Sequence, residues 1–190
     1  MKSADVRQLD ALSELFAEAL AYCRPRSVAV LGIAGGNGLE HVDRNTTTRV
    51  VGVDVNPGYL DEARRRFGAQ GELELCCADL AEQVIKVKPV ELVHAALVFE
   101  HAGTGRCLEN ALAVVANGGA LSVVLQLPSE TEQGVGASPF PSLQRLKEDF
   151  SLIPPERFCE LLEPRGFRLE HETRRSLPAG KEFWMGIFRG

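Results

Sequence analysis

The chain has 190 residues, 45% of them apolar, with 21 lysines and arginines against 26 aspartates and glutamates, for a formal charge of −5. That length suits a single domain, 1–190, burying roughly 70% of its unfolded surface, and the acidic balance leaves no footprint for non-specific binding of nucleic acid or an anionic membrane. No apolar run reaches the roughly 20 residues of a membrane helix, the start Met1-Lys2-Ser3-Ala4-Asp5-Val6-Arg7 lacks a signal core, and five scattered cysteines with no C-x-x-C pair read as reduced thiols of a cytoplasmic protein without structural zinc.

Residues 5–22 read as a helix, with Asp5 at its cap, Leu9, Leu12, Phe16 and Leu20 as its apolar stripe and Pro25 as its stop. A strand is expected at 28–33, a short helix at 39–44 and a second strand at 50–54. Asn56 then caps a helix with Pro57 in its first turn, and Gly68 ends it. Within that helix, in the run Arg64-Arg65-Arg66, Asp61 and Glu62 stand four residues ahead of Arg65 and Arg66, which predicts a solvated, ion-paired face. A third strand follows at 73–77, a short helix begins at Asp79, and a fourth strand spans Val90 to Phe99. Thr104 opens a helix closed by Asn117-Gly118-Gly119, and Ala120 to Leu127 is a strand apolar enough to be covered on both faces. The stretch 128–142 is loop-like, Pro155 starts another helix, and strands at 167–172 and 183–188, with no helix between them, predict an antiparallel hairpin. His41, His171 and Trp184 are expected to be surface, strand and core residues rather than site groups.

Chemistry concentrates in the turn Gly32-Ile33-Ala34-Gly35-Gly36-Asn37-Gly38, which follows one apolar run and precedes another ending in Asp54. Glycines let a backbone approach a ligand, and a carboxylate at a strand tip accepts both hydroxyls of a ribose, so the pattern points to a nucleoside-containing cofactor. The dinucleotide fingerprint G-x-G-x-x-G fits poorly: from Gly32 its later glycines fall on Ala34 and Asn37, and from Gly36 the last falls on His41. Asp54 suits either cofactor, and an NAD-dependent oxidoreductase stands as one alternative function.

On Gly36 and Gly38, Asp54, Asp79, the run Leu92 to Glu100 and Gly118-Gly119-Ala120-Leu121, in that order and spacing, residues 28–188 resemble the class I S-adenosylmethionine-dependent methyltransferases. Two positions differ: Gly32 stands where the family has an acid, and Ala34 where it has the first glycine. The resemblance implies a Rossmann-like three-layer α/β/α sandwich, a seven-stranded mostly parallel sheet with a C-terminal antiparallel hairpin. It also implies S-adenosylmethionine as cofactor and a small molecule as methyl acceptor. A protein that binds the nucleoside without transferring methyl, or acts as a scaffold, is the other alternative.

In that reading the amides around Ala34, Gly35, Gly36 and Gly38 face the amino-acid end of the cofactor, while Asp54 receives the ribose and Val55 borders the purine. Asp79 and the Leu80 amide receive the purine edge, and Ala96 and Leu97 support the methionine portion through their backbone. Asp54 and Asp79 could instead cap the turns that follow them. Glu100 and His101 are the acid/base candidates beside the transfer point, His101 to accept a proton and Glu100 to bind an amine or orient a partner. The loop 128–142 is expected to form part of a substrate lid, Phe140 giving an apolar wall stiffened by Pro139 and Pro141.

Overall fold

The computed structural model describes residues 4–128, 150–178 and 180–190. The expected lid therefore lies, from residue 129 onward and including Pro139, Phe140 and Pro141, outside the described residues. Strands β1 (Ser27–Leu31), β2 (Arg49–Asp54), β3 (Glu72–Cys77), β4 (Val90–Ala96), β5 (Val115–Leu127), β6 (Arg168–Ser176) and β7 (Glu182–Arg189) form one seven-stranded sheet in the order β3-β2-β1-β4-β5-β7-β6. The first five are mutually parallel, and β7 runs antiparallel between β5 and β6. The hairpin was legible because nothing helical separates its strands. The insertion of β7, rather than β6, beside β5 was not.

Helices α1 (Ala4–Cys23) and α2 (Pro57–Phe67) cover one face; α4 (Arg106–Val114) and α5 (Pro155–Leu162) cover the other. Strand alternation sorts the core accordingly. Val28 and Val30 of β1 pack with Phe16, Leu60 and Phe67, whereas Ala29 and Leu31 pack with Leu108, Phe158 and Leu162. β5 is buried on both faces from Ala120 to Leu127, as its apolar run, broken only by Ser122 and Gln126, predicted. Each fully buried Leu or Phe contributes about 1.5–3 kcal/mol.

Several boundaries differ from the sequence reading, each for a local reason. The helix expected over 39–44 is a single 3-10 turn, Leu39–His41, because the Asp43 carboxylate and carbonyl bind the Asn45 and Thr47 amides in a separate turn. The helix expected from Asp79 is one turn closed by the Gln83 amide on the Asp79 carbonyl at 2.8 Å. β4 stops at Ala96 rather than Phe99, since Leu97 enters the left-handed region at φ 58° and Phe99–Ala102 coils into the short helix α3. Asn117-Gly118-Gly119 does not close α4 but lies inside β5, where Val115 pairs with Val90 and Ala120 with Leu92 across a register shift.

His41 bonds Ser13 at 3.0 Å and Trp184 is buried with its indole N–H on Glu172, whereas His171, expected to find its partner locally, lies 2.9 Å from Glu18 of α1. The arginine run pairs at three-residue rather than the expected four-residue spacing, Arg64 with Asp61 and Arg65 with Glu62, because Arg66 is drawn away to donate to the Gly35 carbonyl at 2.7 Å. No helix among the described residues is long and apolar enough to cross a membrane.

Candidate functional site

β1 and β4 are neighbours in the sheet, yet their connections leave toward opposite edges, β1 to β2 and β4 to β5. This reversal opens a crevice at the carboxyl ends of the strands. Asp54 closes β2 there. It is 8% exposed, and each of its oxygens takes one backbone amide: Oδ2 from Ala34 at 2.8 Å and Oδ1 from Asn56 at 2.9 Å. The carboxylate thus ties the glycine turn to the cap of α2, fulfilling the capping alternative, and each oxygen keeps a second lone pair.

The glycine turn owes its shape to packing as much as to any ligand. Gly36 (φ 83°) and Gly38 (φ 90°) sit where a Cβ would stand 2.8 Å from the Phe67 ring and 2.8 Å from the Phe16 ring. Only glycine adopts such a φ without strain while permitting that approach. Beneath Gly38, Glu40 accepts from the Gly38 amide at 3.0 Å and from the Ser13 hydroxyl at 2.8 Å. These bonds favour the Glu40 carboxylate over its acid and, against the opposing effect of burial, lower its pKa. Ala34 is left-handed at φ 48° without being glycine, and its amide bond to Asp54 holds it there.

At the β3 tip Asp79 is half-buried; its Oδ1 accepts the Ala81 amide at 2.8 Å, so it caps its own turn. At the β4 tip Glu100 and His101 are adjacent on α3 but face different surroundings. Glu100 is 1% exposed, its Oε1 accepting the Gln126 amide at 2.8 Å, and among the described residues its Oε2 has no hydrogen-bond partner. Burial raises its pKa to about 7, against the lowering effect of the Gln126 amide. His101 is exposed, with its ring 4.9 Å from that of Phe150, and partial loss of hydration pushes its imidazole below the ordinary histidine value.

A cavity of about 350 Å³ occupies the crevice. Eight of the residues singled out from the sequence line it: Ala34, Asp54, Val55, Asp79, Leu80, Ala96, Leu97 and His101. Gly35, Gly36, Gly38 and Glu100 are not in the lining. The two buried glycines face Phe67 and Phe16, Gly35 lies against Glu62 and Arg66, and Glu100 is turned to β5. Sequence reasoning passed over Tyr59, Ala78, Val98 and Ala102 as lining, and took Gly32 only as a motif position. Ala78 adjoins Asp79, Val98 adjoins Leu97 and Ala102 adjoins His101, so one step along the chain would have reached these three. Tyr59, four residues beyond Val55, reaches the cavity from the first turn of α2, and Val98 and Ala102 owe their positions to the helical turn that replaced the end of β4.

Residues 28–119 match the family model described as a methyltransferase domain. Among solved structures, the N-methyltransferase NodS from Bradyrhizobium japonicum WM9, in complex with S-adenosyl-L-homocysteine, is similar at 13% identity and a TM-score of 0.71, over 95% of this chain and 86% of that one. The magnesium protoporphyrin IX methyltransferase from Synechocystis PCC 6803, with bound S-adenosylhomocysteine, gives 12% identity and a TM-score of 0.71 over 97% and 83%. The [4+2]-cyclase SpnF gives 15% and 0.68 over 95% and 80%. At such identities the likeness is one of fold. No curated protein matches the sequence.

Proposed function

On the match of residues 28–119 to the methyltransferase-domain model, we propose that the chain works as one unit that binds S-adenosylmethionine in the crevice and transfers its methyl group to a small molecule. The observation that carries the reading is Asp54, a buried strand-tip carboxylate held rigid by two amides at the wall of a 350 Å³ cavity. With acceptor capacity left on both oxygens it fits the paired hydroxyls of a ribose. Asp79 and the Leu80 amide take the edge of the purine, and Val55 and Tyr59 border its face. The amides of Gly35, Gly36 and Gly38 serve by shaping the turn that presents Ala34.

The bound cofactor supplies an electrophilic methyl on its sulfonium; the chain's own task is to align the acceptor, exclude water and receive a proton. His101 receives it. Its depressed pKa keeps the ring neutral and able to accept at pH 7. Glu100 orients α3 through the Gln126 amide rather than touching the acceptor. The absence of a basic run outside the ion-paired face of α2 supports a small acceptor over nucleic acid, and five free thiols support a cytoplasmic setting.

Calorimetry with S-adenosylmethionine and S-adenosylhomocysteine tests the reading. Saturable binding is expected, and none at about 1 mM, a free energy of about −4 kcal/mol, would overturn it. Binding with no turnover across a metabolite panel favours instead nucleoside binding without methyl transfer, a reading supported by the amides of Ala34, Gly36 and Gly38 being engaged within the chain. Displacement by nicotinamide cofactors would favour the oxidoreductase alternative.

A further inference from the structure

Strand β3 lies at one edge of the sheet with β2 and β1 between it and β4, so the connection over residues 78–89 must cross two strands. A crossover of this kind ordinarily carries a helix, whereas this one, described throughout, has a single turn at 80–82. Its path is set from α4. Asn110 lies on the buried face of that helix and is 4% exposed. Its Oδ1 accepts the Ile85 amide at 3.1 Å, and its Nδ2 donates to the Leu80 carbonyl at 3.0 Å and to the Gln83 carbonyl at 2.7 Å. Leu80 and Ile85 share the core of that face with Leu108 and Ala111 of α4, so these bonds form away from water, where an unpaired group is costly. An aspartate has the same shape but lacks the two donors.

The turn so held carries Asp79 and Leu80, which line the cavity although Asn110 does not. Gln83 links the two. Its carbonyl is held by Asn110, its amide donates to the Asp79 carbonyl at 2.8 Å, and its Oε1 accepts the Asp79 amide at 3.0 Å. The Asp79 carbonyl and the Leu80 N–H belong to one planar trans peptide, so fixing the carbonyl on Gln83 aims the Leu80 N–H the opposite way. One buried carboxamide on α4 thereby orients both the acceptor and the donor at the β3 tip. Orientation decides which base fits. Adenine presents an amino donor beside a ring acceptor, complementary to a carboxylate beside an N–H, whereas a 6-oxopurine presents an acceptor beside a donor. Groups fixed in place leave the wrong base with unpaired polar atoms, and groups on a loose turn shift to suit it.

Resting on the reading above in which Asp79 and the Leu80 amide take the purine edge, we propose that Asn110 is a positioning residue that makes the site selective for adenine over 6-oxopurines.

Calorimetry of the full chain with S-adenosylhomocysteine, its 6-oxopurine analogue S-inosylhomocysteine and its 2′-deoxy analogue decides it. The wild type should prefer S-adenosylhomocysteine to the 6-oxopurine by about 100-fold or more. A preference under about tenfold would overturn the purine-edge reading and this proposal while leaving the cofactor reading intact, and failure of all three ligands to bind would overturn everything together. Asn110→Asp should cut the adenine preference to about tenfold or less, yet leave the preference over the 2′-deoxy analogue, which reports on Asp54, within about twofold of wild type. An unchanged adenine preference, or equal losses in both preferences, would overturn the proposal. Should that variant not fold, Gln83→Ala at an exposed position cuts the same route at its side-chain bond to the Asp79 amide. It should lower the adenine preference about threefold, and no change there would likewise overturn the proposal.

Discussion

The tips of β2 and β4 stand on opposite sides of one crevice and are built on opposite plans. At β2 a single acid, Asp54, ends the strand and uses both oxygens to gather the adjoining turns, so its charge is fixed in place by backbone amides. At β4 the backbone itself turns, through a left-handed Leu97 into α3, with one titratable group buried behind the wall and another in front of it. One tip is rigid because a side chain holds backbone. The other is shaped by backbone conformation and has its acid, Glu100, braced against β5.

The hardest blow to this contrast is Asp54→Ala. It removes the ribose acceptor and frees two amides, so S-adenosylhomocysteine binding should weaken about 100-fold or more and urea-measured stability fall by about 2–4 kcal/mol. Loss of binding without loss of stability would show that the carboxylate does not organise the turns. On the β4 side His101→Gln should lower kcat by about 100-fold while calorimetric affinity for S-adenosylhomocysteine stays within about twofold. Unchanged kcat across the pH profile would remove His101 as the base.

Glu100 gives a third test. In the folded chain it keeps its proton up to about pH 7, whereas unfolded it loses it near its ordinary value of 4.5, so its contribution to stability falls as pH rises between these values. His94, buried on β4 against Ser122, acts in the reverse sense: burial lowers its pKa from 6.5 to about 3, so stability is lost as pH falls through that range. Between pH 4.5 and 6.5 the two oppose each other. Glu100→Gln keeps an acceptor for the Gln126 amide and removes the falling limb, so the urea midpoint should rise more steeply with pH, by an effect on the order of 2 kcal/mol. A parallel profile in variant and wild type would contradict the buried protonated acid. The smallest change is expected for Val55→Ala at the 62% exposed mouth, less than about threefold in affinity by calorimetry.

What the sequence made legible follows the same division. Asp54, Asn56 and Pro57 were readable together because strand-end acids, caps and first-turn prolines act over two or three residues. The sheet followed from apolar runs whose partners need no long-range information. The β4 tip was misread because the apolar run to Phe99 looks the same whether its last residues extend or coil. The left-handed Leu97 is imposed by neighbours such as Val124, more than twenty residues along the chain. The glycine turn was found for one reason and kept for another, since Gly36 and Gly38 are needed by Phe67 and Phe16 of distant helices.

The placement of β7 between β5 and β6 has a bearing on synthesis. The outer face of α1 is tied to β6 and to the connection leading into β7: Glu18 to His171, Glu14 and Glu18 to Arg175, Gln8 to Lys181, and Tyr22 stacked on His171. Until those strands are made, β5, the strand buried on both faces, has an open edge and the outer face of α1 lacks these partners. The sheet therefore closes only once β7 has been made, and truncation before Glu182 should yield an aggregating product rather than a smaller folded one.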